Sequence, residues 1–456
     1  MRHNRSHNDA GKLFLGIFFF SFILILIATL FPFSFHIKEF TKSSISRFQF
    51  VLFRSSSDLL ENILLFVPSG FGLGGLAEKE GINNLLKWVF VLTIGLCLSI
   101  IVEVFQIFLP SRFPSSSDVL ANLVGTGLGF IIFRNLGQKL INCASVILEK
   151  LKFFLTLRNL FILLIIYFVF ASLITKRLSR GLSFENWDGS YHLIVGNEKT
   201  GNRPWQGKVF NIKILNRAIS ENKIKNIYHQ HPTIKSRDSN LICFYELDQR
   251  KYFNDETGLN PNLTWKGKVQ NGDAKSYKSI SGDHWLETDY PVAEMINKIK
   301  TKSQFTLLTT VASDDAFQSG PARIISISSD PYNRNLTLAQ EGSDLVFRLR
   351  TPLTGVNGML PELVAPNIFA DRNPHNLAIT YDGRSILLFV DGRINSHSLK
   401  LGPGAVLWSY FFSINVNDLF GYRLLYHIFL LSPILLLVLN IIKSIEINFS
   451  THCFWL

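Results

Sequence analysis

Two short stretches put ionisable side chains where an apolar chain ordinarily excludes them. RSSSDLLEN begins at Arg54 and RFPSSSDVLAN at Arg112; each sets an Arg and three serines before an Asp, with an Asn four residues after it. Asp58 and Asn62, like Asp118 and Asn122, therefore lie one turn apart and share a helix face. Another apolar run adds Glu103 and Gln106, shortly before Pro110. Carboxylates so placed can act as an acid and base, hold a cation or order a polar head-group pocket, and Arg112 beside them can hold a phosphate. The same residue types also cap helices, and Asp58 with Glu61 has the spacing of a capping box. Capping accounts for the serines and aspartates. It does not account for Glu103, Asn62 or Asn122, since a carboxylate inside a span costs roughly 2.5–3.5 kcal/mol at the bilayer centre and less near the interface.

The elements that must position these groups are membrane helices. The 456 residues are 47% hydrophobic and include 40 Phe, too oily for an ordinary soluble chain. The oil is concentrated before about residue 175 and after about residue 420. Hydropathy gives six spans, at about 13–31, 58–77, 85–109, 118–136, 153–174 and 421–442. The first is too long for a signal-peptide core and is read as a span. Arg2, Arg5 and Lys12 before it, and Arg134, Lys139, Lys150, Lys152 and Arg158 between spans four and five, predict cytoplasmic termini and an extracytoplasmic insert over about 175–420. Both Ser-Ser-Ser-Asp phrases then open inward helices on the outer face, a weak parallel repeat. The ladders Gly70, Gly72, Gly74 and Gly125, Gly127, Gly129 predict close helix packing, and Pro68 a kink. The net charge of +12 is explained by orientation rather than by a nucleic-acid partner. Cys97, Cys143, Cys243 and Cys453 are too dispersed for a disulfide framework or zinc site.

The pattern Asp58, Asn62, Phe66, Pro68 and Gly70, then Glu103, Gln106, Arg112, Asp118, Asn122 and Gly125, resembles the VanZ-like membrane family over about residues 10–136. The family pattern often has a second Asp shortly after the Arg, where this chain has Phe113, Pro114 and Ser115. The resemblance implies a compact four-helix unit in the cell envelope, linked by the family's name to teicoplanin-type glycopeptide resistance. It implies no settled reaction.

Between about 180 and 410 the chain turns to short alternating strands with Asp-Gly turns, as in NLAITYDGRSILLFVDG from Asn376. HNLAITYDGRSILLFVDGR, and RPWQGKVFNIKILNRAIS from Arg203, resemble the laminin-G/concanavalin A-like lectin fold. The second phrase normally closes that domain but comes first here, implying a permuted jelly-roll sandwich. The predicted fold class is thus an α-helical multi-pass membrane bundle carrying an inserted all-β sandwich. Its parts are a four-helix domain (1–150), a fifth span (151–177), the sandwich (178–412) and a sixth span with a short tail (413–456).

In the sandwich, Trp187, Trp205, Trp265 and Trp285 are candidates to stack on sugars, though Trp in a β-sandwich is more often core. Asp188, Asp382 and Asp391 are weak calcium candidates, since Asp-Gly is first a turn signal. No other cofactor is identified. The expected location is the bacterial cytoplasmic membrane, with membrane lipid and a carbohydrate or envelope polymer as partners. Three readings stay open: glycan or lipid-linked precursor binding at the outer face, a membrane hydrolase or transferase using Glu103 and Asp118, and a noncatalytic glycan sensor or scaffold.

Overall fold

A computed structural model describes the chain apart from residues 1, 32, 34, 36–55, 82, 110–114, 155, 230–237, 248–252, 268–279, 412–413 and 453–456. It forms two compact units, residues 1–165 with 435–456, and residues 166–434.

The first unit contains α1 (Arg2–Leu30), α2 (Ser56–Lys79), α3 (Asn84–Gln106) and α4 (Ser116–Phe154). Helix α3 starts where Asn83 accepts a hydrogen bond from the Leu86 N–H at 2.9 Å, an N-cap that satisfies a first-turn donor. Helices α2 and α4 pack backbone to backbone. A Cβ at Gly125 would sit 2.2 Å from the Ile63 carbonyl oxygen, and one at Gly129 2.0 Å from that of Val67. These paired contacts advance by four residues on both helices, so the two run parallel, as the repeated phrase predicts. Only glycine permits such an approach. Gly127 departs from the expectation: it faces Leu92 of α3, 3.7 Å away, instead of α2. Ile25, Phe66, Leu98 and Val102 knit α1, α2 and α3 into one apolar cluster, and Leu73, Ala77, Val91 and Phe130 form a second.

Helix α2 continues through Pro68, with the Ser69 hydroxyl donating to the Phe66 carbonyl at 2.7 Å. Helix α4 runs well past the expected end near residue 136. The basic residues that mark a membrane boundary do not break a helix, and no Pro or turn cluster interrupts this stretch.

The second unit begins within α5 (Leu157–Ser179) and carries the short helices α6 (Glu221–His229), α7 (Ala293–Lys302) and α8 (Gly402–Ser409) before entering α9 (Leu419–His452). Its strands are β1 (His192–Val195), β2 (Gly207–Leu215), β3 (Leu241–Glu246), β4 (Leu263–Gly267), β5 (His284–Thr288), β6 (Phe305–Ser313), β7 (Gln318–Ser328), β8 (Arg334–Gly342), β9 (Asp344–Leu349), β10 (Leu363–Ala365), β11 (His375–Tyr381), β12 (Ser385–Val390), β13 (Arg393–Ile394) and β14 (Leu399–Lys400). They form two antiparallel sheets, ordered β10-β9-β8-β7-β1-β5-β4 and β13-β12-β11-β6-β2-β3, with β14 also on β12. Phe305 of one sheet meets Phe347 of the other at 6.3 Å between ring centroids. In β7, Ile325 and Ile327 are fully buried, and so are Ser326 and Ser328 of the alternate face, so this strand is covered on both sides.

Among the described residues six helices are long and apolar enough to cross a membrane: windows in α1 to α4, Leu157–Leu182 and Val416–Ile445. Their positions agree with the six spans read from hydropathy.

Candidate functional site

The polar residues of the first unit gather where α3 runs antiparallel to α4. At the C-terminal end of α3, Glu103 is 4% exposed, and one of its carboxylate oxygens accepts the Ser115 backbone N–H at 2.8 Å. Ser115 immediately precedes α4. Its hydroxyl lies 2.7 Å from that of Ser117 and accepts the Ser117 N–H at 3.2 Å, so it caps α4 while its own N–H serves Glu103. The Ser117 hydroxyl in turn reaches Asp118 Oδ1 at 3.5 Å. This chain connects the two carboxylate residues through the start of one helix.

One turn earlier on α3 and one turn into α4, Asn122 Nδ2 donates to the Ser99 hydroxyl at 2.9 Å. Asn122 is 2% exposed and its Oδ1 is buried without a hydrogen-bond partner. A further turn on, Gly95 leaves room for Thr126, whose hydroxyl returns to the Asn122 carbonyl at 2.9 Å. Gln106 points elsewhere, donating to the Thr29 carbonyl of α1 at 3.1 Å. The interface is thus a buried polar track of three levels, 103 with 115, 99 with 122, and 95 with 126. Ser99 carried no signal in the sequence, because a single Ser in an apolar run reads as neutral until its neighbour is known.

Residues 18–142 match the VanZ/LLP1 family model. The whole polar track lies inside this VanZ-like stretch, which together with the six apolar helices marks a membrane protein. No curated protein and no solved structure matches the chain.

The other expected members of the VanZ-like site are placed less closely. Asn62 is half-buried on α2 and makes no hydrogen bond among the described residues. Asp58 lies in the first turn of α2, and its side chain, like Arg54 and Arg112, lies outside the described residues.

In the β unit the aromatic candidates divide. Trp187 and Trp205 are 2% and 0% exposed, with their indole N–H groups donating to the Arg350 carbonyl and to Gln340 Oε1, both at 2.8 Å. Stacking on a sugar needs an open ring face, so these two are core residues and not glycan platforms. Trp265 and Trp285 are half-buried on the paired strands β4 and β5. Lys266 pairs with Trp285 and Trp265 with Leu286, so the two indoles project to opposite faces.

The calcium candidates do not converge. Asp188 accepts the Ser190 N–H at 2.9 Å and Asp382 the Arg384 N–H at 2.8 Å, each anchoring its own turn, while Asp391 accepts the N–H of Asn376 on the neighbouring strand β11 at 2.8 Å. Asp382 and Asp391 flank opposite ends of β12. Among the described residues no three His, Cys, Asp or Glu side chains are grouped to hold a metal.

The sequence also concealed a buried ionic cluster. Glu198 is wholly buried; it accepts the Ser328 hydroxyl and lies 3.5 Å from Arg323, itself 1% exposed. Burial pushes the Glu198 carboxyl above its ordinary value, against the opposing effects of the Ser328 hydroxyl and Arg323. Burial likewise pulls Arg323 down to about 10 and, with Arg323 and Arg348 adding repulsion, Arg334 down to about 9. In sequence Arg323 stands at the head of the phrase RIISIS and reads as a solvated strand end, whereas the structure sets it in the middle of β7.

Proposed function

We propose that this protein works in the cell envelope, its VanZ-like bundle binding a lipid-linked or envelope glycan at the outer membrane face and its β unit, of lectin-like fold, docking a carbohydrate nearby. The reading takes both termini as cytoplasmic, the β unit as a permuted jelly-roll on the extracytoplasmic side, and a role in glycopeptide response as its physiological setting. The observation that carries it is Glu103, a carboxylate buried at a helix end inside an apolar span, with Ser115, Ser117 and Asp118 chained to it. A membrane helix retains such a group at a cost, and the common reason is a polar site in the bundle. Trp265 and Trp285 are the remaining aromatic candidates for sugar contact.

The test is binding of a lipid-linked glycan and of the free glycan to the full-length protein, Glu103→Gln and Trp285→Ala. Loss of the lipid-linked ligand in Glu103→Gln, with folding intact, supports a bundle site. Unchanged binding in that variant, with all binding lost in Trp285→Ala, leaves the bundle as an anchor and overturns the central part of the reading. An acid–base role for Glu103 and Asp118 adds turnover of that ligand as its own readout.

A further inference from the structure

A cleft of about 530 Å³ opens in the second unit between the edge of one sheet and the start of the last helix, a size typical of small-molecule sites, roughly 300–1,000 Å³. Its walls include Glu362 and Val364 at β10, His397 in the turn before β14, Lys400 on β14, Asn417 in the 3-10 turn Val416–Asp418, and Arg423 on α9. Glu362 is already neutralised, its Oε2 lying 2.5 Å from Arg348 Nε. Lys400 and Arg423 have no ion pair or hydrogen bond among the described residues, and Arg423 Nε is buried without a partner. The cleft therefore holds two uncompensated cations facing one neutralised acid.

Arg423 also fixes the depth of the cleft. It stands in the second turn of α9, and from Leu424 to Ile442 the helix carries no Asp, Glu, Lys or Arg, inside a spanning window that ends at Ile445. A guanidinium at the end of a spanning helix settles at the head-group level. Its position is set by α8: a Cβ at Gly404 would lie 2.6 Å from the Tyr422 carbonyl oxygen, so α8 rests directly on the α9 backbone, and the Arg423 stem lies over Gly402.

We infer that this cleft binds the phosphodiester head group of an anionic membrane lipid, with Arg423 and Lys400 clamping the phosphate and His397 and Asn417 contacting the polar substituent. Planar guanidinium and ammonium donors suit phosphate oxygens, and the ligand enters from the bilayer beside α9. The site is separate from the polar track of the bundle and does not depend on its function.

The experiment is native mass spectrometry of the full-length protein in detergent, titrated with phosphatidylglycerol, phosphatidylcholine or inorganic phosphate. Phosphatidylglycerol is expected to bind at least about tenfold more tightly than phosphatidylcholine, and Lys400→Gln to remove about tenfold of that affinity. Lys400 is exposed, so this variant keeps its fold, and Arg423→Lys is expected to retain most binding. Lys298→Gln, which alters a half-buried lysine on α7 already paired with Glu294 at 3.1 Å, is expected to change nothing. Equal affinity for the two lipids, or an unchanged Lys400→Gln, overturns the site. Competition by inorganic phosphate at concentrations equal to the lipid assigns it to a soluble phosphate and overturns the lipid source.

Discussion

The Glu103 carboxylate accepts the backbone N–H of Ser115 at 2.8 Å, joining the end of one apolar helix to the residue just before the next. Its energetic and functional roles separate by substitution. Glu103→Gln keeps an acceptor for Ser115 and is expected to shift unfolding stability by less than about 1 kcal/mol. Glu103→Ala leaves that N–H buried and unpaired, at an expected cost of about 1–3 kcal/mol. Denaturant unfolding in detergent measures both; a Gln variant as unstable as the Ala variant shows that charge, not the acceptor, holds the helix end.

Gly129 tests the parallel packing of α2 and α4. Its Cβ position is 2.0 Å from a backbone oxygen, which cannot rotate away. Gly129→Val is expected to destabilise by at least about 1–3 kcal/mol, the usual cost of overpacking. Gly127→Ala, where the nearest atom is 3.7 Å away, is expected to be neutral in the same thermal melt.

Two carboxylates of the β unit should respond to pH with opposite sign. The Ser190 N–H and hydroxyl hold Asp188 below its unfolded value. Its contribution is present above the unfolded value near pH 4 and is lost as pH falls through the folded one. Glu198 is raised by burial, so its contribution is full below the unfolded value and is lost as pH rises through the folded one. Removing each titration, by Asp188→Asn and Glu198→Gln, should flatten the loss of stability on acidification and the loss on raising pH respectively, in thermal melts followed by near-ultraviolet circular dichroism.

The tryptophans should separate by role. Trp205→Ala removes a fully buried indole and is expected to cost about 3–5 kcal/mol. Trp285→Ala is expected to cost less and to weaken glycan binding at least about fivefold, within the stacking energy of an aromatic ring. Calorimetry with soluble glycan checks both; a stable Trp285→Ala with unaltered binding removes that residue from the site.

The sequence by itself determined the features that follow from local chemistry. Apolar runs long enough to cross a bilayer, such as 85–109, announce their helices because buried backbone polar groups must be satisfied within the segment. Alternation in RIISIS and NLAITYDG announces strands because successive side chains face opposite sides. The glycines four apart at 125 and 129 announced a close contact, and Ser115 announced a cap. Tertiary structure alone decided which polar groups meet. Asn122 finds Ser99, Gln106 turns to Thr29, Asn62 bonds neither, and Trp205 is enclosed while Trp285 is partly open. The same holds for Glu198 and Arg323, and for the cleft between Lys400 and Arg423. A charged residue in sequence shows its own cost of burial, but the compensating partner arrives from a distant segment, and only packing brings the two together.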